Sequence, residues 1–318
     1  MSLPRWVSAL CTIGALLLSA GTPVAAQGTR PWTPDRKLQQ SLERLTQGFR
    51  GDVGIYVQHL KTGRGAAIRA DELFPTASMI KVPILAMLHA RLAAGSMRMQ
   101  EMQVRGDSAI YAYPDDVGEV GNLKAGTKIT TGVLAFLMIS TSDNSAAIWL
   151  QSLVGGGSAI NAWLSENGFD STRVNSRTPG READRTKYGW GQTTPREMAR
   201  LMARIREGSV VNPAASEEMY RALTRIYWNG EALSEVPPWV QTASKQGSVD
   251  KSRSEVLLVN APSGDYVVSI ITKNQLDERY EPDNEGHVLL RKVSAAVWKH
   301  FEPKSPYTPA AGTAALKP

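Results

Sequence analysis

One cysteine occurs in 318 residues, and it is Cys11. It lies in an N-terminal stretch with the anatomy of a secretory leader. Arg5 supplies the positive start, Trp6 to Ala20 is mostly apolar, and Val24-Ala25-Ala26 offers small residues for cleavage near Ala26, leaving Gln27 as the first mature residue. The apolar run is short for a membrane span and is interrupted by Gly14, with Gly21 and Pro23 following. Ser8-Ala9-Leu10 does not supply a lipoprotein consensus ahead of the cysteine. The mature chain then has no thiol, which excludes disulfides, thiol catalysis and cysteine metal sites. A periplasmic or secreted protein is expected.

Histidine is scarce too. His59, His89, His287 and His300 are the whole set, and none has a neighbour spacing that suits a metal. Each reads as a surface or packing residue, and no metal or organic cofactor is expected. The net charge of +6 is scattered, with no basic run interleaved with aromatics. Nucleic-acid binding is not expected. A mild positive field would favour a carboxylate-bearing substrate. There is no internal repeat. Residues 27–302 are enough for one large domain or two interleaved lobes.

What the chain does contain is three short motifs in order: Ser78-Met79-Ile80-Lys81, Ser142-Asp143-Asn144 and Lys245-Gln246-Gly247. A serine hydroxyl is inert until a base, an oxyanion hole and a cation surround it, and this set has side chains for those jobs. Ser-x-x-Lys alone is expected about once by chance in a chain of this composition. Ser248-Val249-Asp250-Lys251 also matches it and is read as accidental. Ser-Asp-Asn is rarer, on the order of 0.05 by chance. The three together, in order, define an acyl-transfer site. Ser78 and Lys81 are three apart and share a helix face. Ser78 would be the nucleophile at a helix N-terminus, where N–H groups favour developing negative charge. Lys81 can serve as base only if its pKa falls, and a second cation, Lys245, would lower it.

Hydrophobic spacing supplies the frame. Leu38, Leu42, Leu45 and Phe49 mark a first helix; Asp52 to Leu60 alternates as a strand, turns at Lys61-Thr62-Gly63-Arg64 and returns from Ala66. Helices are expected from Ser78 to about Ala94, Thr131 to Met138, onward from Ser142 to Val154, and Gly157 to Asn167. Thr194-Pro195-Arg196-Glu197 is a capping box with proline at the first helical position. The polar Gly- and Arg-rich stretch between Asn167 and Thr194 is a long loop, a kind that is usually functional. Strands are expected over Trp239 to Ser248, Glu255 to Asn260 and Tyr266 to Lys273, then a helix from Val288 to Phe301. Residues 303–318 read as a disordered Pro/Ala/Thr tail. Strands at both ends around a helical block predict an α+β fold, with one sheet built from both termini and an all-helical lobe inserted over about residues 80–235.

The chain resembles the class A serine β-lactamases, within the penicillin-recognising serine hydrolases, over about residues 35 to 302. Beyond the motifs, Gly54-Ile55-Tyr56-Val57, Lys61-Thr62-Gly63, Phe74-Pro75-Thr76-Ala77-Ser78, Thr193-Thr194-Pro195 and Met198-Ala199 carry the resemblance. It implies a five-stranded antiparallel sheet flanked by helices (an α/β sandwich), with the cleft between sheet and helical lobe. It implies that Ser142 relays a proton to the leaving nitrogen, that Asn144 binds the substrate amide and Lys81, and that Asp143 is a brace. The backbone N–H groups of Ser78 and Ser248 would form the oxyanion hole, with Gly247 and Lys245 beside them. Tyr113 lies near the family's cleft-edge aromatic.

Two departures stand out. Gln246 replaces the usual hydroxyl residue that contacts a substrate carboxylate; Ser248 and Arg253 could compensate. The loop also lacks the family's Arg-x-Glu-x-x-Leu-Asn. Counting back from Thr193-Thr194-Pro195 puts Thr178 where the deacylating glutamate belongs, Glu182 where an asparagine belongs, and Gly191 at a bracing aspartate. Arg177 with Asp184 could replace that brace. Glu182 is either a relocated base or an ion-pairing residue that leaves no efficient base; losing a general base costs about 10²–10⁴-fold. Three activities stay open: a β-lactam hydrolase, slow or not; a D-Ala-D-Ala peptidase or transpeptidase acting on peptidoglycan peptides; or a non-turning acyl trap. The partner expected is a β-lactam or peptidoglycan-peptide substrate, met by a monomer.

Overall fold

The computed structural model describes residues 30–106 and 118–313. The leader segment, Tyr113 and residues 314–318 lie outside them. Asp35 starts helix α1 (Arg36–Thr46), its carboxylate accepting from Leu38 N at 3.2 Å, and Leu38 and Leu42 are buried as their spacing requires. Ahead of it lies the two-residue strand β1 (Thr33–Pro34), and after it the hairpin β2 (Asp52–His59) and β3 (Arg64–Ile68). A short β4 (Phe74–Pro75) leads into a 3-10 turn (Ala77–Ile80) and helix α2 (Lys81–Ala93). Strands β5 (Met102–Val104) and β6 (Lys128–Thr130) pair ahead of helices α3 (Thr131–Ser140), α4 (Asn144–Leu153) and α5 (Gly156–Glu166). The long loop holds β7 (Arg173–Val174), α6 (Glu182–Tyr188) and β8 (Gly191–Thr193), followed by α7 (Pro195–Arg206) and α8 (Pro213–Leu223). Strands β9 (Thr242–Val249), β10 (Ser252–Val259) and β11 (Tyr266–Lys273) and helix α9 (Glu285–Phe301) complete the described chain.

The main sheet runs β1-β3-β2-β11-β10-β9, so both termini do contribute to it. It has six strands where five were expected. The extra one is β1, which pairs parallel with β3 at the edge, Thr33 opposite Arg64. It ends in proline, which has no N–H to extend a ladder, so it leaves almost no strand pattern to read. All other pairings in this sheet are antiparallel.

Both sheet faces are covered. Leu257 and Val259 of β10 pack with Leu38, Leu42, Val293 and Val297 of α1 and α9. Val256 and Leu258, pointing the other way, join the core of the helical lobe with Met198 and Met202. Helix α2 is the axis of that lobe: every residue from Lys81 to His89 is buried. An all-round buried helix is a central one.

The long loop is partly ordered by its own pairings. β8 pairs with β7 on one side and with β4 on the other, Phe74 opposite Thr193. The capping box of α7 is half made. Thr194 Oγ1 accepts from Glu197 N at 3.1 Å, while the Glu197 carboxylate turns to Thr172 N at 2.7 Å and ties the loop's start to α7. Two residues beyond α9 touch the body of the protein: Trp298 Nε1 donates to Ser305 O at 2.9 Å, and the Tyr307 ring stands edge-on to Trp239.

Candidate active site

Ser78 sits in the 3-10 turn, one residue after Ala77, whose φ is 44°. A non-glycine residue in that left-handed region is strained and needs its surroundings to hold it. Two contacts do so: Thr76 N donates to Gly191 O at 2.9 Å, and Ser254 Oγ donates to Thr76 O at 3.3 Å. Strand β9 passes against this turn. A Cβ at Gly247 would lie 2.7 Å from Ser78 N and 2.8 Å from Thr76 O. Only glycine permits that approach. Gly247→Ala is therefore expected to push β9 off the turn and cut the rate of any Ser78 chemistry by at least about 10²-fold, the scale of an oxyanion-hole loss. Adduct formation with a β-lactam, followed by mass, checks this.

Lys81 opens α2 three residues later and is fully buried. Its Nζ is 3.1 Å from Ser78 Oγ, 3.0 Å from Ser142 Oγ and 2.7 Å from Asn144 Oδ1, and it also reaches the Ser142 carbonyl. Charged, Lys81 has three hydrogens to share among these four acceptors; as the neutral amine it has two and a lone pair that can take the Ser78 proton. Ser142 has a φ of 61°, which turns its hydroxyl between two lysines: Lys245 Nζ is also 3.0 Å from Ser142 Oγ. Two chain segments far apart in sequence thus meet at one hydroxyl.

Lys245 has no solvent exposure. Burial drives its pKa down to about 7, against the pull of Glu231 and Glu255. Gln246 helps to hold it: the Gln246 Oε1 accepts from Lys245 Nζ at 2.8 Å, and the Gln246 carbonyl accepts at 3.1 Å. Glu255, opposite Gln246 in the ladder, is also fully enclosed, and burial followed by the charge of Glu231 raises its pKa to about 8.

Asp143 is a brace, as the resemblance implies. Its carboxylate accepts from Ala146 N at 2.7 Å, capping α4, and from Val120 N at 2.9 Å. Asp143→Ala is expected to cost about 2–3 kcal/mol of folding stability, a lost cap plus a lost charged hydrogen bond. Urea denaturation checks it.

The cleft in front of Ser78 has a volume of about 640 Å³, and Ser142, Asn144, Gly247 and Ser248 line it with Ser78. The structure therefore brings together Ser78, Lys81, Ser142, Asn144, Lys245, Gly247 and Ser248. It does not bring Glu182 there. Glu182 lies in the first turn of α6, away from the cleft lining, its Oε1 accepting from Gly180 N at 3.1 Å. Thr178 is buried, its hydroxyl against Gly157 of α5 and donating to Ser176 O at 3.2 Å. Asp184 pairs with Arg181 at 2.8 Å, and Arg181 also donates to Asn175 Oδ1 at 2.7 Å and Gln192 Oε1 at 2.9 Å.

Arg253 is not in the cleft either. It is fully buried; Nε donates to His287 Nε2 at 3.0 Å, and the two terminal nitrogens bond the carbonyls of Val249, Ser252, Glu278 and Arg279. Its plane lies 4.5 Å from the Tyr280 ring centre. Its hydrogens are thus occupied by the protein itself.

Several residues at the site had no motif to reveal them. Trp190 lies with its ring centre 5.5 Å from Lys81 Nζ, held by Nε1 donating to Gln151 Oε1 at 3.0 Å. Its only signal is an aromatic set between Gly189 and Gly191. Tyr227 and Trp228, with rings edge to face, also line the cleft, as do Glu231, Tyr280 and His287. Among the described residues, no group of three or more His, Cys, Asp or Glu side chains is placed to hold a metal ion.

A sheet-and-helical-lobe fold with a Ser-Lys-Ser-Asn-Lys cluster in its cleft defines the class, a hydrolase of the serine β-lactamase fold. The chain belongs to the β-lactamase enzyme family, whose model matches residues 37–301. It is 25% identical to a β-lactamase of Rhodobacter capsulatus over 92% of this chain and 97% of that one. It is 30% identical to a β-lactamase of Streptomyces albus G over 64% of this chain and 67% of that one. Among solved structures it is similar to PBP-A, with 27% identity and a TM-score of 0.76 over 86% of this chain and 99% of that one. A mutant of PBP-A, similar at a TM-score of 0.75 and 27% identity, is described as an acyl-enzyme complex with penicillin G.

Proposed function

We propose that Ser78 opens β-lactams by forming an acyl-enzyme and that the ester is released slowly. In the first step Ser78 Oγ bonds to the lactam carbonyl carbon while its proton passes to Lys81. The carbonyl oxygen gains charge against the N–H groups of Ser78 and Ser248. As the C–N bond breaks, Ser142 gives its proton to the leaving nitrogen and is re-supplied from the lysine pair. The hydroxyl of Ser142, 3.0 Å from each of two lysines, suits that relay.

The single observation behind slow release is the placement of Glu182, outside the cleft lining and bonded within its own loop. Trp190, not a carboxylate, lies beside Lys81. Without a positioned base, water attack on the ester loses about 10²–10⁴-fold. Similarity to PBP-A, whose mutant carries a penicillin G acyl group, favours the same reading and also supports a second activity on D-Ala-D-Ala peptides of peptidoglycan. Export through the leader at residues 1–26 would place the chain where such peptides occur.

The test is intact-protein mass spectrometry after mixing with benzylpenicillin, sampled from seconds to hours. The expected result is one whole-penicillin adduct that persists, and none on Ser78→Ala. Accumulating penicilloate without a lasting adduct would sink the slow-release reading. Release of D-Ala from a D-Ala-D-Ala stem peptide tests the second activity.

A further inference from the structure

Two carboxyl groups behind the site have no task in the chemistry proposed above. Glu255, on β10 opposite Gln246, is fully enclosed, and its Oε2 accepts from Leu233 N at 3.3 Å. Its Oε1 is also enclosed and has no hydrogen-bond partner among the described residues. Glu231 stands just ahead of the 3-10 turn Ala232–Glu235 that carries Leu233. Its Oε1 lies 3.2 Å from His287 Nδ1, and its Oε2 is a second enclosed oxygen without a partner among the described residues.

These two orphaned oxygens answer each other. Burial, followed by the charge of Glu231, raises Glu255 to about 8, so near neutral pH it is an acid with one O–H to donate. Its Oε2 is already an acceptor, which puts the hydrogen on Oε1. Glu231 Oε2 has the converse need, an enclosed acceptor that lacks a donor. The other oxygen of Glu231 faces the N–H of His287, because Arg253 can only donate and so occupies His287 Nε2 at 3.0 Å. The other titratable groups around the pair are Lys245 on β9, His287 and Arg291 on α9, Glu235 in the turn, and Arg253 with Tyr280. β11 sets apolar Ile270 opposite Glu255.

We propose that Glu231 and Glu255 hold one proton between them, the Glu255 hydroxyl donating to Glu231 Oε2, and that the pair stands behind Lys245 as a single negative charge that positions it for proton exchange with Ser142. Both carboxyl groups act on Lys245, and Lys245 Nζ is 3.0 Å from Ser142 Oγ. Two ionised carboxylates would hold this lysine as an ammonium; none would leave burial free to neutralise it. One leaves it at about 7, able both to give a proton and to take one. The role rests on the proposed Ser78 chemistry, whereas the shared proton does not.

Infrared spectra and adduct rates test the two parts. The wild-type protein in heavy water is expected to show one carboxylic-acid carbonyl band at about pH 6.5 that is gone by about pH 10 and is absent from Glu255→Gln. Glu231→Gln is expected to raise its frequency, because an ionised acceptor makes the stronger hydrogen bond. Glu255→Leu, which removes the O–H, is expected to slow the benzylpenicillin adduct at least about ten-fold, the scale of a lost hydrogen bond to a charged group. Glu255→Gln, an uncharged donor, is expected to restore the rate to within about three-fold of wild type. The rate falls at alkaline pH as Lys245 loses its proton, and Glu231→Gln is expected to move that limb at least about one unit lower, since burial still holds Glu255 as the acid. No acid band in the wild type, or a band that Glu255→Gln leaves in place, overturns the shared proton, whether or not the leucine variant folds. Glutamine failing as badly as leucine, or a limb that Glu231→Gln leaves unmoved, overturns the positioning role. Absence of any wild-type adduct overturns the Ser78 reading and the positioning role with it, while the band still decides the proton.

Discussion

Lys81→Met is expected to slow acylation of Ser78 by about 10²–10⁴-fold, the range for losing a general base. Methionine keeps the length and apolar stem of a side chain that is wholly enclosed. What it removes is the nitrogen that lies within hydrogen-bond reach of Ser78, Ser142 and Asn144 together. Asn144 Oδ1 and the Ser142 carbonyl then lose a donor, which costs roughly 1–3 kcal/mol each where they stay dry. The variant is therefore both slower and less stable. The measurement is the pseudo-first-order rate of the benzylpenicillin adduct, with circular dichroism to verify folding. A rate within about three-fold of wild type would remove Lys81 from the mechanism.

Lys245→Met acts in the opposite sense on stability. The ordinary lysine value of 10.5 falls to about 7 here. At about 1.4 kcal/mol per unit, keeping this lysine charged costs about 5 kcal/mol at acidic pH. Stranding Ser142 Oγ and Gln246 Oε1 returns part of that, so the net gain at pH 6 is about 1–3 kcal/mol. Acylation falls at the same time, because Ser142 loses one of its two lysines. A site residue whose removal stabilises the fold is a common stability–activity exchange.

The pH dependence of the wild-type protein follows from the signs. The depressed Lys245 contributes stability that is complete above pH 10.5 and is lost as pH falls to about 7. The raised Glu255, going from 4.5 to about 8, contributes stability that is complete below 4.5 and lost as pH rises to about 8. Together they place a minimum in their contribution between about pH 7 and 8. Urea unfolding from pH 5 to 10 reads it directly. Glu255→Gln should flatten the acidic arm and Lys245→Met the alkaline one; an unchanged profile in both variants would refute the assignment.

Much of this site was legible because its chemistry demands fixed spacings. Ser78 and Lys81 share a helix face, and Ser142 with Asn144 flank a helix cap, so each pair had to lie close in sequence. Asp143 was read as a brace only through the family resemblance; the structure shows that it does so as the N-cap of α4. The inserted helical lobe and the two-terminus sheet followed from strand and helix periods at the right ends of the chain. Trp190 and Glu231 were not legible. A lone aromatic or a lone carboxylate has no period, and its place is set by where distant segments converge. His287 looked like a packing residue, and only the fold brings it between Arg253 and Glu231. Arg253 misled because a cation at a strand start carries no mark of the carbonyl cage that consumes it. Helices α8 and α6 have weak sequence signatures: Pro213 and its Ala-rich neighbours hide the first in a mixed stretch, and the second is seven residues long.

The loop between α5 and α7 is closed at its neck. The N–H groups of Asn175 and Ser176 both donate to Trp190 O, at 2.7 and 2.9 Å, and just beyond, Thr76 N donates to Gly191 O. Residues 177 to 189 leave from that clasp and are tied back by Thr178 against Gly157 of α5 and by Arg181 to Asn175 and Gln192, while the turn bearing Ser78 is fastened to its far side. Closing a loop costs little more as it lengthens, so residues 179 to 189 could be exchanged or resized with small consequence for the nucleophile provided that Thr178 and the Arg181 bonds to Asn175 and Gln192 are kept. On the proposed function, acyl capture and acyl release would then be separable parts of the molecule. A lineage or an engineer could convert a trap into a turnover enzyme, or the reverse, by grafting one short segment and leaving the rest of the chain as it is.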